Sequence, residues 1–460
     1  MIKKASIKIF SKENFLIFSV FFLSTLFFIY QHSSGLSWDF SVYVLNAKHF
    51  FSNKGYFEWL RPPLAPFLLG VFSVFGWNIS EYIFIIFTSC LFLFSSIKLC
   101  EKLNIPKEIY YLCSMSFYTL TFSFSAGTEL LSLSLLQLTA AYIKEWSSGL
   151  FLTLAFLTRY NNIIYFPLLF IYKDWKRILI AISVGAILLS PWLLYNFLKS
   201  GDPFLSFTDF YFMNIKFRGD LRENVELKNF LIVGNFFTPL ILLGAINFFK
   251  SKNKVSWLIV LFIILSLLSY FLGAFKDKRY LFNLVMPFSY LCCFAFERKF
   301  DFVQISLFFL SFIAAIAYFV PFDSPEIYKE LAMKLDKCET RSNGWVYLNY
   351  FGFESGPIPW KHQIENMTNE GVRFLVFRGI KDPDFGSFWD KLPKIEDGKE
   401  YFIVGNNSIC KPPKSFSKSY FDLVAEACGI DIGRYESLFF DDKLCSSIKY
   451  CDEFKSHICH

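Results

Sequence analysis

Two acidic residues stand where their surroundings favour chemistry. Asp39 lies shortly after the first long apolar run of the chain, and Glu129 lies between two apolar runs in Ala126-Gly127-Thr128-Glu129. A carboxylate at a water–lipid boundary loses part of its hydration, which makes it a stronger general base. The alternatives are a solvated loop acid at position 39, and a helix cap or an ion pair with Arg159 at position 129.

Two arginines have surroundings of the same kind. Arg159 lies inside an otherwise apolar stretch, and Arg279 opens an apolar segment in Lys276-Asp277-Lys278-Arg279-Tyr280. A guanidinium near lipid needs an anionic partner, and its geometry suits a phosphate by paired hydrogen bonds. The alternative for both is an interfacial side chain that reaches water. An acid that deprotonates a hydroxyl and arginines that hold a leaving phosphate are compatible with sugar transfer from a polyprenyl-phosphate-linked donor, but these residues alone do not single that reaction out.

Long apolar runs must position these residues. The chain has 460 residues, of which 54% are hydrophobic and 18% are charged. A helix needs roughly 17–25 apolar residues to cross the hydrocarbon layer, where no backbone group can be left unpaired. Such runs recur over residues 15–30, 79–97, 178–198, 255–275 and 302–320. The sequence therefore predicts an α-helical multi-pass membrane protein.

The net charge of +7 is distributed as lysine clusters just outside the apolar runs. No basic stripe carries interleaved aromatic residues, which argues against a nucleic-acid partner. The positive-inside rule places the N-terminus in the cytoplasm. The first run has no small-residue cleavage site after it, which favours an uncleaved anchor. Residues 63–77 begin at the second proline of the pair Pro62-Pro63 and are interpreted as a surface helix that does not span. The prediction is then about 11 transmembrane helices in a cell (plasma) membrane, with the C-terminus outside.

This topology divides the chain at Pro321. Residues 1–321 form the predicted transmembrane domain, with a first outer loop at 32–78 and a second at 200–228. Residues 322–460 form a predicted extracytoplasmic α/β domain, with strands at 345–350, 372–377 and 401–404 and helices at 361–369 and 420–427. No Gly-rich phosphate loop follows any of these strands, so nucleotide binding has no support.

Cysteines and glycosylation sequons agree with an external C-terminal domain. The three Asn-x-Ser/Thr sequons, at Asn78, Asn366 and Asn406, all fall on the predicted outer side. An even number of cysteines in an external domain suggests disulfides. The six are Cys338, Cys410, Cys428, Cys445, Cys451 and Cys459. The alternative is zinc bound by the last residues, although their spacing fits no familiar finger. These residues are Cys445, Cys451, His457, Cys459 and His460.

A succession of short motifs resembles the GT-C glycosyltransferases, and within them the protein O-mannosyltransferase-like branch that includes lipid A aminoarabinose transferases. The resemblance covers about residues 15–300. It is carried by Asp39, Tyr43 and Ala47, then Arg61-Pro62-Pro63, Phe75-Gly76, Thr128-Glu129, Thr158-Arg159, Pro191-Trp192 with Asn196, Gly201-Asp202-Pro203-Phe204 and Arg279-Tyr280.

The resemblance implies a GT-C-like fold and an inverting transfer at the outer membrane face. It assigns general-base catalysis to Asp39 and a supporting role to Glu129. It also implies donor-phosphate binding by Arg159 and Arg279, and substrate binding by Tyr43 and Arg61. The partners would be a polyprenyl-phosphate-linked sugar, the lipid bilayer, and a glycan, lipid or protein acceptor. The first loop has one acid where an Asp-x-Asp pair would hold metal, so no cofactor is expected. The absence of a Trp-Trp-Asp motif argues against an oligosaccharyltransferase.

Two other classes compete with the enzyme. A transporter or lipid flippase would need polar residues near the bilayer midplane that are accessible from both sides. A receptor or scaffold would leave the long first loop and its acid without a purpose. The polar residues concentrate on one predicted side, which favours the enzyme.

Overall fold

The computed structural model describes residues 12–53, 55–172, 174–216, 225–250, 256–273, 276–295, 302–320, 325–378, 386–413, 416, 419–429, 431 and 433–439. These residues separate into two compact units. The helical unit holds the described parts of Met1–Ser33, Glu81–Leu194 and Arg222–Pro321. The sheet unit holds the described parts of Ser34–Ser80, Tyr195–Leu221 and Phe322–His460.

Among the described residues, four helices are long and apolar enough to cross a membrane. They are Asn14–Ser33, Trp77–Leu103, Trp175–Ser200 and Lys228–Lys250. Twenty residues of helix span about 30 Å, the thickness of the hydrocarbon layer. The first three contain three of the predicted apolar runs. The runs at 255–275 and 302–320 form the shorter helices Ser256–Leu272 and Phe302–Ala317. These are the features of a helical membrane protein.

Shorter helical segments complete the helical unit. They are Lys107–Ser114, Phe117–Phe122, Glu129–Ala141, Ser147–Thr158, Val285–Cys292 and the 3-10 segments Tyr160–Phe170 and Lys278–Leu284. Every residue of Glu129–Ala141 is buried. Glycines allow helix backbones to approach each other closely. Helices in lipid gain little from the hydrophobic effect when they associate, so they depend on such close packing. A Cβ added at Gly244 would lie 1.9 Å from the carbonyl oxygen of Leu291.

The sheet unit begins with two helices from the predicted first outer loop, Trp38–Ser52 and Leu64–Phe72, and the latter continues as a 3-10 turn, Ser73–Phe75. A helical segment, Leu64–Phe75, therefore lies within residues 63–77 and is shorter than the four candidate spans; its position at the membrane surface stays a prediction. The remaining helices are Leu205–Tyr211, Phe212–Lys216 (π), Pro325–Lys334, Trp345–Tyr350, Lys361–Asn369, Gly386–Lys391 (3-10), Tyr420–Cys428 and Arg434–Phe439.

A small mixed sheet of five strands lies in the C-terminal region. In chain order the strands are β1 (Thr340–Ser342), β2 (Ser355–Gly356), β3 (Arg373–Phe377), β4 (Lys394–Asp397) and β5 (Tyr401–Val404), and the spatial order is β2-β1-β3-β5-β4. Strand β1 pairs in parallel with β2 and β3, while β5 pairs antiparallel with β3 and β4.

Both faces of the sheet are covered by buried side chains. Alternate side chains of β3 point to opposite faces, and each set joins a different cluster. Leu375 and Phe377 join a buried cluster that includes Leu36 of the first loop. Phe374 and Val376 join a second cluster with Trp389. The first loop therefore contributes to the core of the sheet unit. The predicted domain boundary at residue 321 assigned that loop to the membrane domain, and the boundary stays a prediction.

One predicted strand is wrong. Residues 345–350 form the helix Trp345–Tyr350, although Trp, Val and Tyr are typical of strands. Its buried Tyr347 packs edge-on against Trp38 at 5.3 Å and donates to the carbonyl oxygen of Leu36 at 3.3 Å. Packing against the first loop overrides the local preference for a strand. The strand predicted at 401–404 and the helices at 361–369 and 420–427 are present, and the strand at 372–377 begins at Arg373.

A disulfide joins Cys338 to Cys410 within the sheet unit. This confirms a disulfide for two of the six cysteines named from the sequence. The zinc alternative, with Cys445, Cys451, His457, Cys459 and His460, lies outside the described residues.

Candidate functional site

Asp39 lies in the first turn of helix Trp38–Ser52. Ser37 precedes this helix in an extended conformation, with φ −78° and ψ 133°. The first N–H groups of a helix have no partner within it, so an acidic side chain is stabilised there. The helix ends at Asn53, which has a left-handed backbone conformation (φ 53°) and whose N–H donates a hydrogen bond to the carbonyl oxygen of His49. Local sequence thus places the acid at the positive end of the helix.

Arg61 holds Asp39 in an ion pair. Its Nη2 lies 2.8 Å from Oδ1 of Asp39, and its Nε lies 2.8 Å from Oε2 of Glu58. The Asp39 side chain keeps 18% of its surface exposed, whereas that of Glu58 keeps 3%. One guanidinium therefore bridges a partly accessible carboxylate and a buried one. A ligand would have to approach the exposed part of Asp39.

Glu58 is held from several directions. Its Oε1 accepts a hydrogen bond from the hydroxyl of Tyr56 at 2.7 Å. The side-chain amide of Asn46 bonds to both the backbone N–H and the carbonyl oxygen of Glu58, at 3.0 and 2.9 Å. Sequence reasoning missed Glu58 and Asn46. The spacing of Glu58 and Arg61, three residues apart, was the available signal.

Tyr43 completes this centre. The Arg61 guanidinium lies 5.5 Å from the ring centroid of Tyr43, within the range of a cation–π contact. Burial lowers the pKa of Arg61, but the charges of Asp39 and Glu58 outweigh burial and raise it well above its usual value. Arg61 therefore stays a cation. The structure brings Asp39, Tyr43 and Arg61 together.

The helical unit contains the second centre. Glu129 is fully buried and starts helix Glu129–Ala141, and its Oε2 accepts from the backbone N–H groups of Ala126 and Thr128 at 3.2 Å. Its Oε1 lies 3.1 Å from Nη1 of Arg159. Of the two structural alternatives, the ion pair with Arg159 is present, whereas no side chain caps this helix and the two N–H donors belong to residues that precede it.

Arg159 occupies a break in the helical backbone. It follows helix Ser147–Thr158 with φ −150° and ψ 115°, and the 3-10 segment Tyr160–Phe170 begins after it. Its side chain keeps 15% of its surface exposed. Arg159 therefore lies at the junction of two helical segments.

Arg279 reaches the same aromatic ring as Arg159. The guanidinium groups of Arg159 and Arg279 lie 5.9 and 5.7 Å from the ring centroid of Tyr280. Nε of Arg279 lies 3.3 Å from Oδ2 of Asp277, and its side chain is 28% exposed. Two partly exposed cations thus border one ring, which is an arrangement suited to an anion that carries several acceptor oxygens.

A buried amide network lies beside Arg159 in the chain. Nδ2 of Asn162 donates to the Ser132 hydroxyl at 2.7 Å and to the carbonyl oxygen of Ala155 at 2.8 Å. Nδ2 of Asn283 lies 3.4 Å from Oδ1 of Asn162. Buried polar groups are costly in an apolar bundle unless they are paired. Sequence reasoning missed these amides, and Asn162 sits only three residues after Arg159.

The six predicted site residues divide between the two units. The sheet unit holds Asp39, Tyr43 and Arg61, and the helical unit holds Glu129, Arg159 and Arg279. Among the described residues, no group of three His, Cys, Asp or Glu side chains is arranged to hold a metal ion. The first centre offers an accessible carboxylate beside a fixed cation, and the second offers cations for an anionic ligand.

Comparison with models of known protein families returns no match, and no curated protein sequence matches the chain.

Proposed function

We propose that the chain is an inverting membrane glycosyltransferase that moves a sugar from a polyprenyl-phosphate-linked donor to an acceptor hydroxyl. The observation that carries the proposal is the pair of arginines in the helical unit, Arg159 and Arg279, beside Tyr280. Two partly exposed guanidinium groups in a membrane protein with such apolar helices suit a lipid-linked phosphate. The resemblance of the motif series to GT-C enzymes supports the same reading.

In the proposed reaction, the acceptor hydroxyl attacks the anomeric carbon of the sugar and gives its proton to Asp39. The bond between that carbon and the phosphate oxygen breaks, and its electron pair leaves with the polyprenyl phosphate. The leaving phosphate gains one negative charge. Arg159 and Arg279 stabilise that charge as it develops, the kind of electrostatic assistance that often dominates catalysis. Direct displacement inverts the configuration at the anomeric carbon.

Other residues have supporting roles in this proposal. Arg61 orients the Asp39 carboxylate, and Tyr43 packs against Arg61. Glu129 positions Arg159 through their ion pair. The proposal keeps about 11 transmembrane helices in a plasma membrane, a cytoplasmic N-terminus and an extracytoplasmic C-terminal domain. The four long helices are its structural support.

Phosphate binding is tested apart from chemistry. The full chain is purified in lipid nanodiscs, and polyprenyl phosphate is titrated and followed by native mass spectrometry. A hydrogen bond between charged groups contributes about 1.5–3 kcal/mol, so Arg159→Gln and Arg279→Gln should each weaken binding about 10- to 100-fold. Arg378→Gln is the matched control, because Arg378 is an exposed arginine of the sheet unit, paired with Asp397. Equal affinity in all variants would overturn the phosphate site.

Transfer is tested with Asp39→Asn, which keeps the shape of the side chain and removes the base. Membranes containing the protein receive radiolabelled polyprenyl-phosphate-linked hexose, N-acetylhexosamine or pentose in turn. Loss of a general base costs about 10²–10⁴ in rate. The exposed acid Asp390, changed to Asn, is the control and should keep full activity. An Asp39→Asn protein that transfers sugar at the normal rate would refute the assignment.

A further inference from the structure

The sheet unit contains a partly open cavity of about 690 Å³ that the proposed chemistry does not use. Its lining comes from the first-loop segment that contains Tyr56 and Glu58 and from helices Lys361–Asn369 and Tyr420–Cys428. Pockets that bind small ligands typically measure about 300–1,000 Å³. The cavity is therefore large enough for a ligand of several rings.

The lining combines aromatic faces with planar polar groups. Trp360, Phe416 and Tyr420 supply rings, and Gln363 and Asn366 supply amides that can donate and accept. A saccharide presents apolar C–H faces, which pack on rings, and hydroxyls that both donate and accept. These two properties match the two kinds of lining side chain.

The arginine and lysine side chains that line the cavity are paired with carboxylates, which disfavours an anionic ligand. Nζ of Lys411 lies 2.5 Å from Oε2 of Glu370. Arg341 pairs with Glu339 at 2.9 Å and stacks on the ring of Phe416 at 4.1 Å. The cationic groups are thus committed to carboxylates of the same unit, and a phosphate would have to displace them. A neutral polyhydroxylated ligand has no such cost.

The cavity wall is connected to the predicted base. Tyr56 and Glu58 line the cavity, and the hydroxyl of Tyr56 donates to Glu58. Glu58 holds the guanidinium of Arg61, which holds Asp39. A ligand in the cavity therefore lies against the same buried carboxylate that orients the Asp39 centre.

We propose that this cavity binds the neutral saccharide portion of an acceptor. The identification of the saccharide as an acceptor rests on the proposed glycosyltransferase function. Saccharide binding itself can be measured without transfer. Trp360 provides the stacking surface, and Glu426, at the end of helix Tyr420–Cys428, accepts from sugar hydroxyls.

The test uses the full-length protein in nanodiscs and neutral trisaccharides of mannose, glucose and N-acetylglucosamine as probes. Isothermal titration should show saturable binding of at least one trisaccharide in the millimolar range or tighter. Loss of one ring–sugar contact should weaken binding about tenfold in Trp360→Ala, and Glu426→Gln should weaken it less. Trp360→Phe keeps a ring and should retain most of the affinity, which separates stacking from misfolding. Trp175→Ala, at an exposed tryptophan of the helical unit, is the matched control.

Each outcome decides the inference. Absence of saturable binding for all three trisaccharides overturns it, and so does binding that Trp360→Ala and Glu426→Gln leave unchanged. Preferential binding of neutral serine- and threonine-containing peptides, lost in Trp360→Ala, would replace the saccharide with a peptide acceptor. Asp39→Asn should bind trisaccharide normally. Saccharide binding without transfer from any donor would refute the proposed function and leave the cavity assignment standing.

Discussion

Arg159→Met is expected to destabilise the protein strongly because it leaves Glu129 as a buried charge. The Coulomb attraction across the 3.1 Å contact is about 5 kcal/mol at an effective dielectric constant of about 20. Two backbone N–H groups remain on Glu129 and retain part of its stabilisation. The expected loss in the free energy of unfolding is therefore about 3–5 kcal/mol, the usual cost of removing one member of a buried pair.

The double variant Glu129→Gln/Arg159→Met should recover part of this loss. A neutral glutamine oxygen still accepts the backbone N–H bonds and needs no cation. The four proteins of this double-mutant cycle are compared by equilibrium unfolding in mixed micelles, with an expected coupling of about 1–3 kcal/mol. Strictly additive changes would refute the ion-pair reasoning.

The same cycle separates structure from function at Arg159. The double variant should regain stability but not polyprenyl-phosphate binding, since the arginine proposed to bind the phosphate is still missing. If binding returns together with stability, Arg159 only supports the fold, and the proposed donor site loses its central residue.

Three further predictions concern other parts of the chain. Burial raises the pKa of Asp209 from 3.8 to about 7, so the folded state retains a proton that the unfolded state releases. Stability should therefore fall as pH rises from about 4 to 7 and level off above, by a few kcal/mol in all, because each pKa unit is worth about 1.4 kcal/mol; Asp209→Asn should remove this slope in pH-dependent unfolding. Replacing Cys338 and Cys410 with serine removes a cross-link between residues 72 positions apart. The free energy of unfolding should fall by about 4 kcal/mol, measured by denaturant unfolding of the full chain. Gly244→Ala should lower the unfolding temperature clearly, because its Cβ would lie 1.9 Å from the Leu291 carbonyl oxygen.

Each of these has its own control or contradiction. An unchanged pH slope in Asp209→Asn would assign the titration to another group. Equal stability with and without reductant would contradict the role of the disulfide. Gly433→Ala is the control for the glycine test, because a Cβ there meets nothing within 4 Å.

Local sequence was sufficient for the features that depend on short stretches of chain. Long apolar runs predict membrane helices because each residue adds to the free energy of transfer into lipid. The helices at Lys361–Asn369 and Tyr420–Cys428 and the strand Tyr401–Val404 also followed from local pattern.

Tertiary structure decided what depends on residues far apart in the chain. Trp345–Tyr350 is a helix because it packs on Trp38 and Leu36, about three hundred positions earlier. Strands as short as Ser355–Gly356 have no readable periodicity and exist only through pairing with β1.

The acidic residues show the same division. The sequence by itself determined that Asp39 follows an apolar run and that Glu129 stands between two others. Only the fold decided their partners: Arg61, held by Glu58, for Asp39, and Arg159 for Glu129. The physical reason is that a charge deprived of water takes whichever opposite charge the packing brings within reach, and sequence spacing does not encode that distance.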